Sequence, residues 1–303
     1  MLRIRVFFDT RQSRKPDNNH TMAETLVNLE PMIRMLAFAG VFALMAVWEL
    51  LAPRRVRPVP RLARWPSNLG VVVLNTVLVR LLLPTTAVGI ALLVESRGGG
   101  LLSMLGAPAW VVFVFAVVLL DLAIYLQHML FHAVPVLWRL HRMHHADIDV
   151  DVTNGLRFHP FEILLSLLLK FAVIAALGPP AAAVVVFEVL LNASSIFNHG
   201  NVAMPARLDA WLRWLLVTPD MHRIHHSWYM EECNSNYGFN LSWWDRLFGT
   251  YRAQPRDGQL TMTLGLPTLR EPAWRRLDRM LVQPFVDDGA AQQRGPGAAE
   301  KKP

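Results

Sequence analysis

Histidine is where this sequence could do chemistry. Ten of its eleven histidines lie between His128 and His226. They fall into five groups: His128 and His132 in HMLFH, His141, His144 and His145 in HRMHH, His159 in FHP, His199 in NHG, and His222, His225 and His226 in HRIHH. Residues three and four apart project from one face of a helix, so each cluster offers converging imidazoles. Neutral imidazole is the commonest metal ligand, whereas protonated imidazoles gathered out of water repel one another. One first-row ion takes about four to six ligands, so this set predicts a site for two metals. Imidazole serves zinc, copper, iron and nickel alike, and the residues alone leave the metal open. The single cysteine, Cys233, excludes an intramolecular disulfide and any Cys-based zinc or iron–sulfur site. His20, in a polar N-terminal stretch, is expected to take no part.

The elements that must hold these histidines are written in the composition: 53% apolar and 17% charged residues over 303 positions, with mean hydropathy +0.30. That is a membrane protein's composition. The net charge of +7 comes from 30 basic and 23 acidic residues, with the arginines dispersed between apolar runs, which argues against nucleic-acid binding. A bilayer span needs roughly 20 apolar residues. The chain offers Met35–Ala52, Leu69–Val94, Pro108–Gln127, Phe161–Leu177 and Ala181–Phe197. Gly178-Pro179-Pro180 reads as a tight turn joining the last two into a helical hairpin. The expected fold is an all-α integral membrane bundle of about four to five spans, with a cytoplasmic helical cap holding a His-rich dimetal site. Three regions follow: a polar segment at 1–31, a membrane-embedded domain at 32–252, and an amphipathic segment with a disordered tail at 253–303. Residues 1–30 lack the apolar core of a signal peptide, and Met22 or Met32 is an alternative start.

Basic residues in short loops mark the cytoplasmic side. Arg54, Arg55, Arg57, Arg61 and Arg64 lie in the first connection, only Arg97 in the second, and none in the 178–180 turn. This count places every clustered histidine near the cytoplasmic face, although it puts the basic N-terminus outside. Pro205–Val217 reads as an interfacial helix, with Leu208, Trp211, Leu212 and Leu215 on one face. A second amphipathic stretch lies in 261–285, around Trp274, Leu277 and Leu281. Arg80, Lys170 and Glu188 interrupt apolar spans, where charges usually face the bundle interior; Lys170 and Glu188 are equidistant from the hairpin turn and are expected to pair. Glu162 and Asp220 flank histidine groups as candidate acceptors for ligand N–H groups. Asp121, Asp147, Asp149 and Asp151 read as solvated surface acids, and Trp243, Trp244 and Tyr251 as interfacial anchors.

The order and spacing of HMLFH, HRMHH, RFHPFE, NHG, TPDMHRIHHS and NSNYGFNLSWWDRLFGTY, covering about Trp110 to Arg252, resemble the fatty acid hydroxylase/sterol desaturase superfamily of membrane di-iron oxidoreductases. The resemblance implies two iron ions, which zinc can replace on purification, O₂ as co-substrate, and hydroxylation or desaturation of a lipid C–H bond. It implies metal ligation by His128, His132, His141, His144, His145, His159, His199, His222, His225 and His226. It also implies positions beside the metal for Asn198, Asn236 and Tyr237. The sequence carries no H-P-G-G haem motif, so electrons are expected from a separate cytochrome b5-like or ferredoxin/reductase partner. The competing reading is a His-rich metal-binding or metal-transport membrane protein. Transport sites lie near the bilayer midplane, yet no histidine occupies the middle of a span.

Overall fold

The computed structural model describes Thr25 and residues 27–287. His20, Met22, the basic residues before them and the tail from 288 lie outside the described residues. Among the described residues there are helices and three isolated bridges, but no strand. Five stretches are long and apolar enough to cross a membrane. The protein is a multi-pass membrane protein.

Helix α1 spans Glu30–Leu51, with Pro31 in its first turn, where the missing N–H costs nothing. The second apolar stretch, expected as one span, is broken into α2 (Trp65–Leu82) and α3 (Ala87–Ser96). Pro84 cannot continue the helix, and Thr86 restarts it by accepting the Gly89 amide at 3.1 Å. Arg80 sits exposed in the last turn of α2, so its charge escapes at a helix end and does not face the interior as expected. Helix α4 (Ala109–Ala133) is followed after one residue by α5 (Pro135–His145). The hairpin is α6 (Pro160–Leu177) and α7 (Ala181–Asn198).

Its turn needs glycine twice over. Gly178 has φ of 61°, and a Cβ there would lie 2.1 Å from the Gly100 amide nitrogen. The second connection therefore packs backbone to backbone on the hairpin turn, at the end opposite the histidines. Helix α7 is the central element: 56% of its span is buried, against 6% for α1. Its Phe187, Val184 and Val185 pack with Ala91 of α3 and Leu120 and Ile124 of α4. Within this packing Lys170 Nζ meets Glu188 Oε1 at 2.6 Å, and Arg34 reaches Glu188 at 3.3 Å.

At the histidine end, short segments form a cap. Helix α8 (Ala206–Leu212) keeps Leu208 and Trp211 exposed, and the following turn exposes Trp214 and Leu215. Helix α9 (Pro219–His225) starts at Pro219 and is capped by Thr218. The amphipathic C-terminal stretch supplies α10 (Leu277–Val282), whose Met280 packs with Val71 of α2 and Met143 of α5. Arg142 donates to the Gln283 and Val286 carbonyls, fastening residues 283–286 to α5.

All five arginines of the first connection turn into this cap. Arg54 makes a bidentate pair with Asp220, Arg55 reaches the Met262 carbonyl, and Arg57 and Arg61 meet Glu49. Arg64 is 0% exposed and binds Asp147 at 2.8 Å and Asp151 at 2.8 Å. Burial opposes its charge, and the Asp147 and Asp151 carboxylates outweigh that cost. Asp147, Asp149 and Asp151 are therefore buried, not solvated as expected. Asp121 is buried too, holding Trp244 Nε1 at 2.8 Å and Asn240 Nδ2 at 2.8 Å. Trp244 is thus part of the core, while Trp243 stays 45% exposed as an anchor would be.

Candidate metal centre

Four elements deliver the histidines to one place. His128 and His132 come from the last turns of α4; His141, His144 and His145 from α5; His199 directly follows α7; His222, His225 and His226 come from α9 and its C-cap. They form two adjoining groups. His128, His132, His141, His145 and His225 make one, and His144, His199, His222 and His226 the other, with the ligand atoms of each group within 4.8 Å of one another. Rings of the two groups touch, with His145 and His226 centroids 4.6 Å apart.

The hydrogen bonds fix which nitrogens face inward. His128 Nδ1 donates to the Tyr237 carbonyl at 2.7 Å, His199 Nδ1 to the Ser195 carbonyl at 2.7 Å, and His225 Nδ1 to the Ser235 carbonyl at 2.8 Å. A carbonyl only accepts, so each proton sits on Nδ1 and each Nε2 keeps its lone pair. His141 Nδ1 likewise donates to Glu162 Oε1 at 2.6 Å. Yet the Nε2 atoms of His128 and His141 lie 3.1 Å apart, and His199 Nε2 lies 3.1 Å from those of His144, His222 and His226. Between His128 and His141, both protonated on Nδ1, two lone pairs meet at that distance and repel. Two metal–nitrogen bonds of about 2.0–2.1 Å at roughly 90–109° give a nitrogen separation of about 2.9–3.4 Å. The spacing is that of ligands around a shared cation. Nε2 of His132 and His225 is buried with no partner, as an inward lone pair awaiting one is.

Burial also sets the charge state. It pushes His199 down to about 4 and His225 to about 3, and drives His144, His145, His222 and His226 well below the usual histidine range, neighbouring imidazoles adding to the effect. At neutral pH these rings are neutral, the form that ligates.

Nine of the ten expected ligands are thus together, and His159 is apart. It caps α6, its Nδ1 accepting the Phe161 amide at 3.2 Å while Nε2 donates to the Leu281 carbonyl at 3.1 Å. Both ring nitrogens are occupied and neither is aimed at the groups. Glu162 is the acceptor expected beside the histidines; Asp220 instead pairs with Arg54 and Arg223. Tyr237 lies against His128, His132 and His225, ring centroids 5.1–5.6 Å away, and burial pushes its phenol up. Asn198 donates to the Phe239 carbonyl at 2.7 Å, leaving its buried Oδ1 unpartnered. Asn236, with φ of 52°, spends its amide on the Met221 and Arg252 backbone and so ties the loop that carries Tyr237.

Sequence reasoning missed the residues underneath. Asp245 accepts the Tyr237 and Gly238 amides at 2.7 and 2.9 Å, and Glu49 accepts the Val152 and Asn201 amides at 2.9 and 2.7 Å. Alternating acids directly after HRMHH, with Arg64 immediately before α2, were the available signal for the Arg64 cluster.

Fold and site together define a helical membrane protein with two adjoining histidine nests that could each hold a metal ion. Residues 113–250 match the fatty acid hydroxylase family. It is similar to an ornithine lipid hydroxylase of Rhizobium tropici, 34% identical over 144 residues, covering 47% of this chain and 42% of the relative. An alkylglycerol monooxygenase of Xenopus tropicalis is 29% identical over 136 residues, 43% of this chain and 28% of that protein. A cholesterol 25-hydroxylase of Rattus norvegicus is 26% identical over 145 residues, 47% of each. The chain therefore spans less than half the length of these relatives. No solved structure matches it.

Proposed function

We propose that the chain is a membrane-bound di-iron monooxygenase that hydroxylates a lipid C–H bond, with O₂ as co-substrate. The observation that carries this reading is the convergence of nine histidines at the end of a membrane bundle, with the Nδ1 protons of His128, His141, His199 and His225 tied to acceptors outside the two groups. His128, His132, His141, His145 and His225 would hold one metal, and His144, His199, His222 and His226 the other. Bound iron supplies the oxidising power to attack an unactivated C–H bond, which side chains lack. The chain's own part is orientation: carbonyls of Ser195, Ser235 and Tyr237 and the Glu162 carboxylate fix ring tautomers and raise ligand basicity. Tyr237 packs against the rings of His128, His132 and His225, and Asn198 directly precedes His199. Lipid substrates dissolve in the bilayer, and the ligands at the end of α4 meet them there. The relatives' names, all lipid or sterol oxygenases, support this class. The site faces the cytoplasm in this reading, where a separate cytochrome b5-like or ferredoxin/reductase protein provides electrons.

A metal transporter is the weaker reading, because the nests sit at one end of the bundle and not at its middle, where transport sites lie. The test is lipid mass spectrometry of cells expressing the protein or its His225→Ala variant, with metal analysis of both. A lipid product gaining one oxygen only with the intact protein supports the proposal. An unchanged lipidome with a working reductant supply refutes it.

A further inference from the structure

A second feature of the cap is unrelated to the histidines. A cleft of about 390 Å³ opens between α8, the start of α9 and the Arg246–Gln254 stretch. Arg54, Arg213 and Arg246 line it, with Asp209 and Asp220, and Arg223 pairs with Asp220 behind it. Four guanidiniums thus meet two carboxylates. The nearby Asp245, its oxygens held by the Tyr237 and Gly238 amides and the Thr250 hydroxyl, also feels Arg246, so four guanidiniums face three carboxylates in all.

The surplus is not spent within the protein. Arg213, its side chain only 6% exposed, binds Asp209 and the Ala253 carbonyl, yet its Nε meets no acceptor. Arg246 lies between the Trp214 and Tyr251 rings, 4.6 and 3.9 Å from their centroids, and donates to the Arg213 carbonyl. Its Nε is also buried without an acceptor, and it forms no ion pair among the described residues. Buried donors left without an acceptor cost free energy, more so when charged. Stacking holds the Arg246 plane in place, with Nη2 on the Arg213 carbonyl and Nη1 without an acceptor among the described residues, a donor for a tetrahedral anion.

The surroundings say where that anion comes from. The cleft is walled by Trp214, 68% exposed, beside Trp211 at 71% and Leu247 at 71%, and the Trp243 indole donates to the Trp214 carbonyl to join the two segments into one surface. Exposed tryptophans beside arginines, at the end of a membrane bundle, mark the level of lipid headgroups. We propose that this cleft binds the phosphate of a membrane phospholipid headgroup, with Arg246 and Arg213 as its donors and Trp211, Trp214 and Leu247 seated in the interface around it. The proposal rests on the membrane bundle and not on the oxygenation reading.

The test uses the full chain in detergent and native mass spectrometry, with dioleoyl phosphatidic acid, dioleoylglycerol and inorganic phosphate as probes. Phosphatidic acid should be retained at least tenfold better than dioleoylglycerol. Arg246→Gln should lose most of that preference and Arg246→Lys part of it, with metal content and monodispersity unchanged in both. Trp211→Ser should weaken phosphatidic acid retention but not phosphate binding. Equal retention of the two lipids, or an Arg246→Gln variant that binds as the native chain does, overturns the proposal. Phosphate binding that matches phosphatidic acid and ignores Trp211→Ser assigns the cleft to a soluble anion and overturns the lipid assignment. Because no turnover is measured, failure here is separate from failure of the oxygenase reading.

Discussion

Glu162 gives the most discriminating perturbation of the metal centre. It touches no metal position in the structure; it acts only through the 2.6 Å hydrogen bond from His141 Nδ1. Its other oxygen is buried without a partner, so the whole carboxylate is committed to that one ring. Replacing such an acceptor behind a metal-bound histidine costs about 10–100-fold in metal affinity or activity, or about 1.4–2.7 kcal/mol. Glu162→Gln keeps an acceptor and removes the charge. Charge-assisted hydrogen bonds are roughly twice as strong as neutral ones, so Gln should lose about half of that free energy, a 3–10-fold effect, and Glu162→Ala the full range. Iron retention against a graded chelator series, with the detergent-solubilised protein checked for monodispersity, reads both. The ordering native, Gln, Ala is the prediction. If both variants hold iron like the native chain while His141→Ala loses it, the Glu162 carboxylate does not tune the site and the tautomer argument fails.

His144→Ala and His225→Ala, one from each nest, should each abolish oxygenation and lower bound metal, while membrane fractionation stays normal because the apolar spans insert without metal; near-normal turnover in either would refute the ligand set. Lys170→Met should lower the unfolding temperature by removing a partner of buried Glu188, with Lys170→Met/Glu188→Leu recovering much of the loss, since breaking a buried pair costs about 3–5 kcal/mol and replacing it whole costs far less; Arg34 at 3.3 Å keeps the single-variant loss at the low end of that range. Burial lowers the folded pKa of His199 to about 4 from 6.5, so protons compete for its Nε2 only below that value: metal content should hold from about pH 7 to about pH 5 and fall near 4, and a midpoint close to 6.5 would mean solvated rings. A cytoplasm-dependent reporter should work fused after Arg252 and fail within Glu95–Gly100; the reverse pattern would put the nests, and their reductant, outside.

Much of this molecule was legible in its sequence because periodicity and composition report directly on helices and lipid. Apart from the second, which is split, each span overlaps one helix, with the ends of the hairpin arms agreeing most closely; the hairpin turn falls at Gly178, and Lys170 meets Glu188. The break at Pro84 was legible in principle but lost beneath continuous hydrophobicity. The histidine triplets came together because spacing within one helix is a local property. His159 did not join them, since a short X-His-Pro segment serves a helix cap equally well and only tertiary packing decides between the two. The buried acids were misread for the same reason. An aspartate's burial depends on the partner it finds, and Arg64 lies 83 residues from Asp147. Trp244 looked like an interfacial residue until Asp121, across the cap, claimed its indole.

The C-terminal helix α10 has a consequence for how the chain must be made. Met280 closes over Val71 and Met143, and residues 283–286 take the Arg142 guanidinium, so one flank of α5 is completed by residues 280–286. Every clustered histidine leaves the ribosome some fifty residues or more before that lid arrives. Metal loading and final closure are therefore separable events in time, and a protein truncated just after residue 252 would have its ligands but lack the piece that holds their helix in place.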